Sequence, residues 1–140
     1  TRRLPISAPA FITEIAKILD SVQICPARPA QKVVAWAIEA MRAWRESQRA
    51  ELQARALACR AAFGQLPGWR LDSVGAYFAY AAHPFPGEKA AVVARRLATE
   101  KGILGLPGPY FGPGQESHLR LAFANVGSEV LAGIPTRLKT

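Results

Sequence analysis

Residues 30–63, AQKVVAWAIEAMRAWRESQRAELQARALACRAAF, contain no proline or glycine, and this stretch decides the fold. Apolar side chains recur every three or four positions from Val33 through Met41 to Phe63, with one polar gap at Gln48. This spacing predicts a single helix about 50 Å long, which exceeds the diameter of a small domain. The first half of this helix is apolar on almost all sides, so we expect it to pack between two folded parts of a protein.

A shorter helix is predicted upstream of this stretch. Residues 9–23 carry an apolar stripe at helical spacing, and Pro9 suits a first helical turn. Two prolines in the segment that follows end the helix. We therefore divide the chain into an N-terminal segment with one helix (1–29), a long connecting helix (30–63) and a small domain (64–140).

The period of the sequence changes after Gly64. Short aromatic-rich runs bounded by glycine and proline predict strands, and two stretches with helical spacing predict helices. The strands are expected over residues 69–71, 75–80, 103–106 and 118–124, and the helices over 88–100 and 127–138. We expect Gly102 to cap the first helix and Ser128 to cap the second, which Pro135 interrupts. The order predicts an α+β fold, in which a long interdomain-type helix precedes a small, mostly antiparallel sheet covered by helices on one face.

The net charge of +8 raises the question of a nucleic-acid partner. The arginines of the long helix alternate with glutamates, and Glu51 precedes Arg55 by the four residues that favour a surface ion pair. Such a mixed face is typical of a solvated helix, so we expect no nucleic-acid binding. We also expect no membrane span, because the apolar run at residues 33–38 ends at Glu39, far short of the roughly 20 residues required.

The cysteines, the histidines and the amino terminus bear on location and chemistry. Cys25 and Cys59 are too few for a disulfide framework, and neither has a histidine at zinc-ligand spacing. We expect both thiols to be inert and His83, which stands alone in the sequence, to be structural. No signal peptide is visible, so the expected location is the cytoplasm.

Arg120 has the clearest chemical potential in the sequence. Leu119 and Leu121 flank it on an alternating strand, so Arg120 projects from the sheet face opposite the core. A guanidinium on a rigid strand binds a carboxylate through two parallel hydrogen bonds, a geometry that lysine does not reproduce. The alternative interpretation is an ordinary solvated arginine, which the spacing alone does not exclude.

The loop at residues 107–114 offers further candidates. Tyr110, Phe111 and Gly112 could line a ligand pocket next to the arginine strand, although a loop of this kind is commonly a structural connector. The aromatic run at residues 75–80 could supply another wall, or could simply cover the core. The sequence shows no phosphate-binding glycine loop, no metal-ligand spacing and no nucleophile elbow.

Five motifs in a fixed order point to a family. They are Cys25-Pro26-x-Arg28-x-x-Gln31, Gly75-Ala-Tyr-Phe, Gly102-Ile-Leu-x-Leu-Pro-Gly, Phe111-Gly112 and Leu119-Arg120-Leu-Ala-Phe-Ala. Together they resemble the carboxy-terminal part of the class I/II, fold-type I aminotransferases, which depend on pyridoxal phosphate. The sequence is most similar to those of the aspartate, tyrosine and aromatic aminotransferases, and the resemblance covers nearly the whole chain.

The resemblance implies roles for particular residues. In the family the small domain is an α+β unit, joined to the large domain by a long helix that residues 30–63 resemble. A strand arginine of the family binds the α-carboxylate of the substrate, and Arg120 matches its position. Residues 107–112, which include Tyr110, Phe111 and Gly112, resemble the segment that precedes that strand and borders the substrate entrance.

The resemblance also implies that the cofactor chemistry lies elsewhere. The family binds pyridoxal phosphate mainly through the large domain, with a Schiff-base lysine, an acidic residue and phosphate-binding groups. We expect this chain to begin after the lysine segment, with residues 1–29 as a remnant of the large-domain edge. Arg2 and Arg3 lack the glycine that follows the family's phosphate-binding arginine, so neither is assigned a role.

The complete enzyme implied by the resemblance transfers an amino group between an amino acid and a 2-oxo acid. We expect this chain alone to bind no cofactor and to be inactive, with the missing large domain as its partner. The alternative is a non-catalytic interaction or dimerisation module that has the same fold. It would cover the apolar face around Trp36 and Met41 with a partner such as a second copy of the chain.

Overall fold

A computed structural model describes residues 9–22 and 26–139 of the chain. The chain divides into two compact units, Thr1–Arg45 (unit 1) and Glu46–Thr140 (unit 2). Three residues discussed above lie outside the described residues: Arg2, Arg3 and Cys25.

Unit 1 is built from helices. Helix α1 spans Pro9–Val22, as the apolar stripe predicts. Helix α2 spans Arg28–Ala40 and begins slightly earlier than expected, because Pro29 occupies its first turn, where a missing N–H costs no helix bond. The Gln31 side chain donates a 2.7 Å hydrogen bond to the Pro26 carbonyl, which explains the proline–glutamine spacing at this helix start.

Helix α3 spans Arg42–Phe63, so the helix predicted over residues 30–63 is interrupted at Met41. The Met41 backbone leaves the helical region, with φ −103° and ψ 22°. The Arg45 guanidinium donates to the Ile38 carbonyl, which in a continuous helix accepts from the N–H four residues later. A side chain that competes for a helix carbonyl is a known cause of such breaks, and the apolar pattern does not reveal it.

In unit 2, the last part of α3 is followed by a four-stranded sheet and by further helices. The elements are β1 (Arg70–Gly75), β2 (Phe78–Ala82), α4 (Ala90–Lys101), β3 (Gly105–Pro107), a 3₁₀ turn (Gly108–Phe111), β4 (His118–Ala122), α5 (Ser128–Ala132) and α6 (Ile134–Lys139). The strand order is β1-β2-β4-β3, and each neighbouring pair is antiparallel. The predicted α+β fold is confirmed.

The hydrophobic core of unit 2 lies between the helices and one face of the sheet. Ala79, Ala81 and Leu119 are the fully buried side chains on that face. Their helical neighbours in the core are Cys59, Phe63, Val93, Leu97 and Leu131. The opposite sheet face carries Tyr80 and Arg120.

The helix ends of unit 2 partly differ from the prediction. Gly102 caps α4 in the left-handed conformation, with φ 60°, as predicted. Gly127 rather than Ser128 is the N-cap of α5, because Ser128 already has a helical backbone. Gly133 separates α5 from α6, and Pro135 lies in the first turn of α6, where it begins a helix rather than interrupting one.

Candidate functional site

Arg120 lies at the centre of β4, on the sheet face away from the helices. The strand register sets it opposite Tyr80 on β2 and Leu106 on β3. The adjacent Leu119 is fully buried in the core, as the alternation predicts. Arg120 is therefore held on a strand that is paired on both sides.

Two aromatic rings from separate elements pack against the Arg120 guanidinium. Its Cζ atom lies 4.3 Å from the centroid of the Phe78 ring and 4.0 Å from that of the Phe111 ring. Both distances are within the range of cation–π attraction. Within residues 9–22 and 26–139, no hydrogen bond or ion pair engages this guanidinium. The two rings thus hold the guanidinium in place.

A shallow depression of about 390 Å³ lies beside Arg120. It is lined by Ser73, Val74, Gly75, Phe78, Tyr80, Phe111 and Arg120. Arg120 is the one charged residue in this lining, and most of the other side chains are apolar or aromatic. A single cation within a largely apolar wall suits a small anion with an apolar body.

The 3₁₀ turn brings Phe111 to Arg120. Its first residue, Gly108, packs so tightly that a Cβ atom there would lie 2.3 Å from the Gln115 carbonyl oxygen. Only glycine permits this approach, so the turn is fixed against the backbone of Gln115. The loop at residues 107–114 therefore supports the site structurally, whatever its contact with a ligand.

A hydrogen-bonded group that we name the Asp72 cluster borders the depression; it consists of Arg70, Asp72, Tyr80, Gln115 and His118. Arg70 donates to both Asp72 carboxylate oxygens, at 2.6 and 3.2 Å, and His118 Nε2 lies 2.8 Å from Oδ2. The hydrogen bonds from Arg70 and then from His118 lower the pKa of Asp72 to about 2. The His118 ring stacks on the Tyr80 ring with centroids 5.0 Å apart. The Tyr80 hydroxyl donates to Gln115 Oε1 at 2.8 Å.

The structure brings some of the predicted residues together and leaves others apart. Phe111 and Phe78 lie against Arg120. Tyr110 is 73% exposed and, like Gly112, lies outside the lining of the depression. The contact of Tyr110, Phe111 and Gly112 with a substrate stays a prediction.

The Asp72 cluster was not predicted from the sequence. His118 shares the strand alternation of Arg120, and that spacing was a usable signal for a second polar group on the same face. The position of Asp72 depends on an irregular register between Leu71 and Ser73, and residue spacing does not reveal such a bulge.

Cys59 and His83 lie in the interior. Cys59 is 1% exposed, and burial raises the pKa of its thiol, which keeps the sulfur protonated and unreactive. His83 Nδ1 accepts a hydrogen bond from the Phe85 N–H at 3.3 Å, and burial lowers the pKa of this imidazole. These surroundings agree with the inert and structural roles expected for the two residues.

The described ranges, 9–22 and 26–139, also bear on metal binding and on insertion into a membrane. No group of three or more His, Cys, Asp or Glu side chains there could hold a metal ion. No helix there combines the length and the hydropathy required to cross a membrane. The cytoplasmic location stays a prediction.

Comparisons with known proteins find matches in structure. No family model matches the chain, and no curated protein matches it. One similar structure is an aromatic aminotransferase from Pyrococcus horikoshii OT3, with TM-score 0.69 and 23% identity over 94% of this chain and 36% of that one. An alanine aminotransferase from Pyrococcus furiosus gives TM-score 0.73 and 18% identity over 96% of this chain and 35% of that one.

A third similar structure includes a cofactor adduct. LysN, an α-aminoadipate aminotransferase from Thermus thermophilus complexed with N-(5′-phosphopyridoxyl)-L-leucine, gives TM-score 0.68 and 23% identity. The match covers 94% of this chain and 35% of LysN. The chain thus spans about a third of the length of these aminotransferases. Over that part the chain has their fold.

Proposed function

We propose that this chain is one part of a pyridoxal-phosphate-dependent aminotransferase and that Arg120 binds the α-carboxylate of the substrate. The shared fold supports the first statement. The environment of Arg120 carries the second, because Phe78 and Phe111 hold the guanidinium beside an open depression.

The chemistry of the substrate fits this environment. Amino acids and 2-oxo acids both carry a carboxylate, which accepts two parallel hydrogen bonds from a guanidinium. A carboxylate held in this way fixes the orientation of the neighbouring amine or ketone, which lowers the entropic cost of the reaction. Arg120 is therefore a substrate-binding residue in this proposal.

The cofactor has a different place in the proposal. Pyridoxal phosphate supplies the electron sink for amino-group transfer when it is bound. The depression beside Arg120 does not fit this cofactor, since a Schiff base requires a lysine amine and the described residues that line the depression include no lysine. We assign the cofactor and the catalytic base to the missing large domain, and we infer that the chain alone is inactive.

The role of Arg120 can be tested by carboxylate binding to the 140-residue chain. We expect 3-phenylpropionate to shift the Arg120 Nε–H signal in NMR spectra. Arg120→Lys should weaken binding at least about tenfold, because lysine does not form two parallel bonds. Arg95→Lys, at an exposed arginine on α4, is the matched control and should leave the affinity unchanged. Equal affinities for Arg120→Lys and wild type would refute the role of Arg120.

A second measurement tests the assignment of the cofactor. Titration of the chain with pyridoxal phosphate should give no saturable absorbance band of a lysine adduct. A stoichiometric band that disappears when one lysine is replaced would contradict the assignment. The lysines to replace are Lys17, Lys32, Lys89, Lys101 and Lys139.

A second candidate function, non-catalytic dimerisation, is favoured by the surface of unit 1. Large apolar side chains on α1 and α2 are more than half exposed, which marks an interaction surface. They are Ile12, Ile18, Leu19, Val22, Val33, Val34, Trp36 and Ile38. Sedimentation over a range of concentrations separates the two functions. A coefficient that rises with concentration supports self-association, whereas a constant monomer value supports a large domain as the partner.

A further inference from the structure

We propose that Asp72 and His118 are positioning residues that hold Tyr80 and Phe111 in place for carboxylate binding at Arg120. This inference rests on the proposed function of Arg120. Asp72, Tyr80, Gln115 and His118 lie outside the five motifs on which the family resemblance depends, whereas Gly108, Phe111 and Arg120 belong to them.

The Asp72–His118 contact ties together two strands that are not neighbours. Asp72 belongs to β1 and His118 to β4, with β2 between them in the sheet. Leu71 pairs with Ala81 and Ser73 with Tyr80, so Asp72 is the extra residue of a β-bulge. A bulge redirects a side chain, and here it allows the Asp72 carboxylate to reach His118 across β2.

This contact fixes Tyr80, the residue of β2 that lies opposite Arg120. The His118 ring lies almost parallel to the Tyr80 ring, with an interplanar angle of 10°. The Tyr80 hydroxyl is fixed at its other end by Gln115. With its ring stacked and its hydroxyl bonded, Tyr80 forms a rigid wall of the depression.

The same contacts extend to the opposite wall of the depression. Gln115, which accepts the Tyr80 hydrogen bond, is also the residue against which Gly108 packs. Gly108 begins the 3₁₀ turn that ends at Phe111, the ring 4.0 Å from Arg120. The Asp72 cluster therefore connects both aromatic walls of the Arg120 site through contacts in the folded chain.

The charge of Asp72 allows a positioning role to be distinguished from a direct electrostatic effect on the ligand. A carboxylate on the same sheet face as Arg120 repels an anionic ligand. If charge alone mattered, Asp72→Asn would tighten carboxylate binding. Positioning predicts the opposite sign, because an uncharged amide at residue 72 weakens the hydrogen bond to His118 and so releases the Tyr80 wall.

The experiment measures 3-phenylpropionate affinity by NMR titration of the 140-residue chain, below the melting temperature of every variant. We expect Asp72→Asn and His118→Gln each to raise the Kd about threefold to tenfold. The Kd of the double variant should be no higher than the higher of the two single-variant values, because both changes break the same contact. Glu51→Gln is the matched control, since it removes an equal charge from an acid paired with Arg55 on α3 and should leave the Kd unchanged.

The outcomes separate this inference from the proposed function. An unchanged or lower Kd for Asp72→Asn overturns positioning, even if the unfolding free energy falls, because that result describes a purely structural or electrostatic residue. If Arg120→Lys abolishes binding while Asp72→Asn does not weaken it, the role of Arg120 stands and the positioning inference fails. If Arg120→Lys binds as wild type does, the proposed function itself fails.

Discussion

Phe11 in unit 1 is 49% exposed, whereas Phe63 in unit 2 is 4% exposed, although both belong to apolar helix stripes. No side chain described in unit 1 is buried. In unit 2, Phe63 packs edge-on against Trp69, with ring centroids 5.8 Å apart. The two units thus place the same kind of side chain in opposite environments.

The difference shows what a helix stripe does and does not determine. Periodic apolar residues specify a face, and a second surface is required to bury it. In unit 2 the sheet supplies that surface, through Ala79, Ala81 and Leu119. Full burial of a large apolar side chain stabilises a fold by about 1.5–3 kcal/mol, so the buried side chains stabilise unit 2 more than the exposed ones stabilise unit 1.

The largest expected effect comes from truncating the same residue type in each unit. Phe63→Ala should lower the free energy of unfolding by about 3–5 kcal/mol, because it removes a buried ring and leaves a cavity. Phe11→Ala should change it by less than about 0.5 kcal/mol, as is usual for exposed positions. Urea denaturation followed by circular dichroism measures both values.

If Phe63→Ala does not fold at all, Phe63→Leu provides a milder version of the same change. We expect this variant to be destabilised by less than about 3 kcal/mol, since most of the buried volume is kept. Similar losses for the Phe11 and Phe63 variants would show that α1 is buried in solution, and the contrast between the units would disappear.

Sequence periodicity predicted the helices and strands better than their ends. The alternation around Arg120 and the left-handed glycine at Gly102 are local properties, and both were predictable. The break at Met41 was not, because it involves a side-chain hydrogen bond from Arg45 to a main-chain carbonyl. The spacing of apolar residues carries no information about such a hydrogen bond.

A smaller effect is expected from the ion pairs of the two units. The pKa of Asp72 in the folded protein, about 2, lies below its ordinary value of 3.8. The Asp72 carboxylate therefore stabilises the fold above pH 4, and this contribution is lost as the pH falls towards 2. Because the pair is partly exposed and solvent-screened, we expect the loss to be at most about 1 kcal/mol.

The control for this prediction comes from unit 1. Glu39 pairs with Arg42 at 2.8 Å, and both side chains are more than 60% exposed. Urea denaturation at pH 5 and pH 2 should show a smaller acid-induced loss for Asp72→Asn than for wild type. Glu39→Gln should lose as much stability as wild type between pH 5 and pH 2. If Asp72→Asn loses as much stability as wild type, the carboxylate contributes nothing to the fold.

The candidate site was predictable only in part, because several of its contacts join elements that are distant in sequence. Arg120 was visible because strand alternation assigns it to a face. Its pairing with Phe78 and Phe111 combines three elements that are distant in sequence. Asp72 reaches His118, on the same strand as Arg120, through a bulge. Such proximities arise from strand order and register, which a single sequence does not specify.

The smallest expected effect concerns the helix break in unit 1. Arg45→Ala frees the Ile38 carbonyl, so we expect the helix to continue through Met41. The free energy of unfolding should change by less than about 0.5 kcal/mol, because no side chain described in this unit is buried. NMR Cα chemical shifts report the helix, and Arg42→Ala, which loses only an ion pair with Glu39, should keep the break. A break that persists in Arg45→Ala would show that the backbone at Met41 ends α2 without help from Arg45.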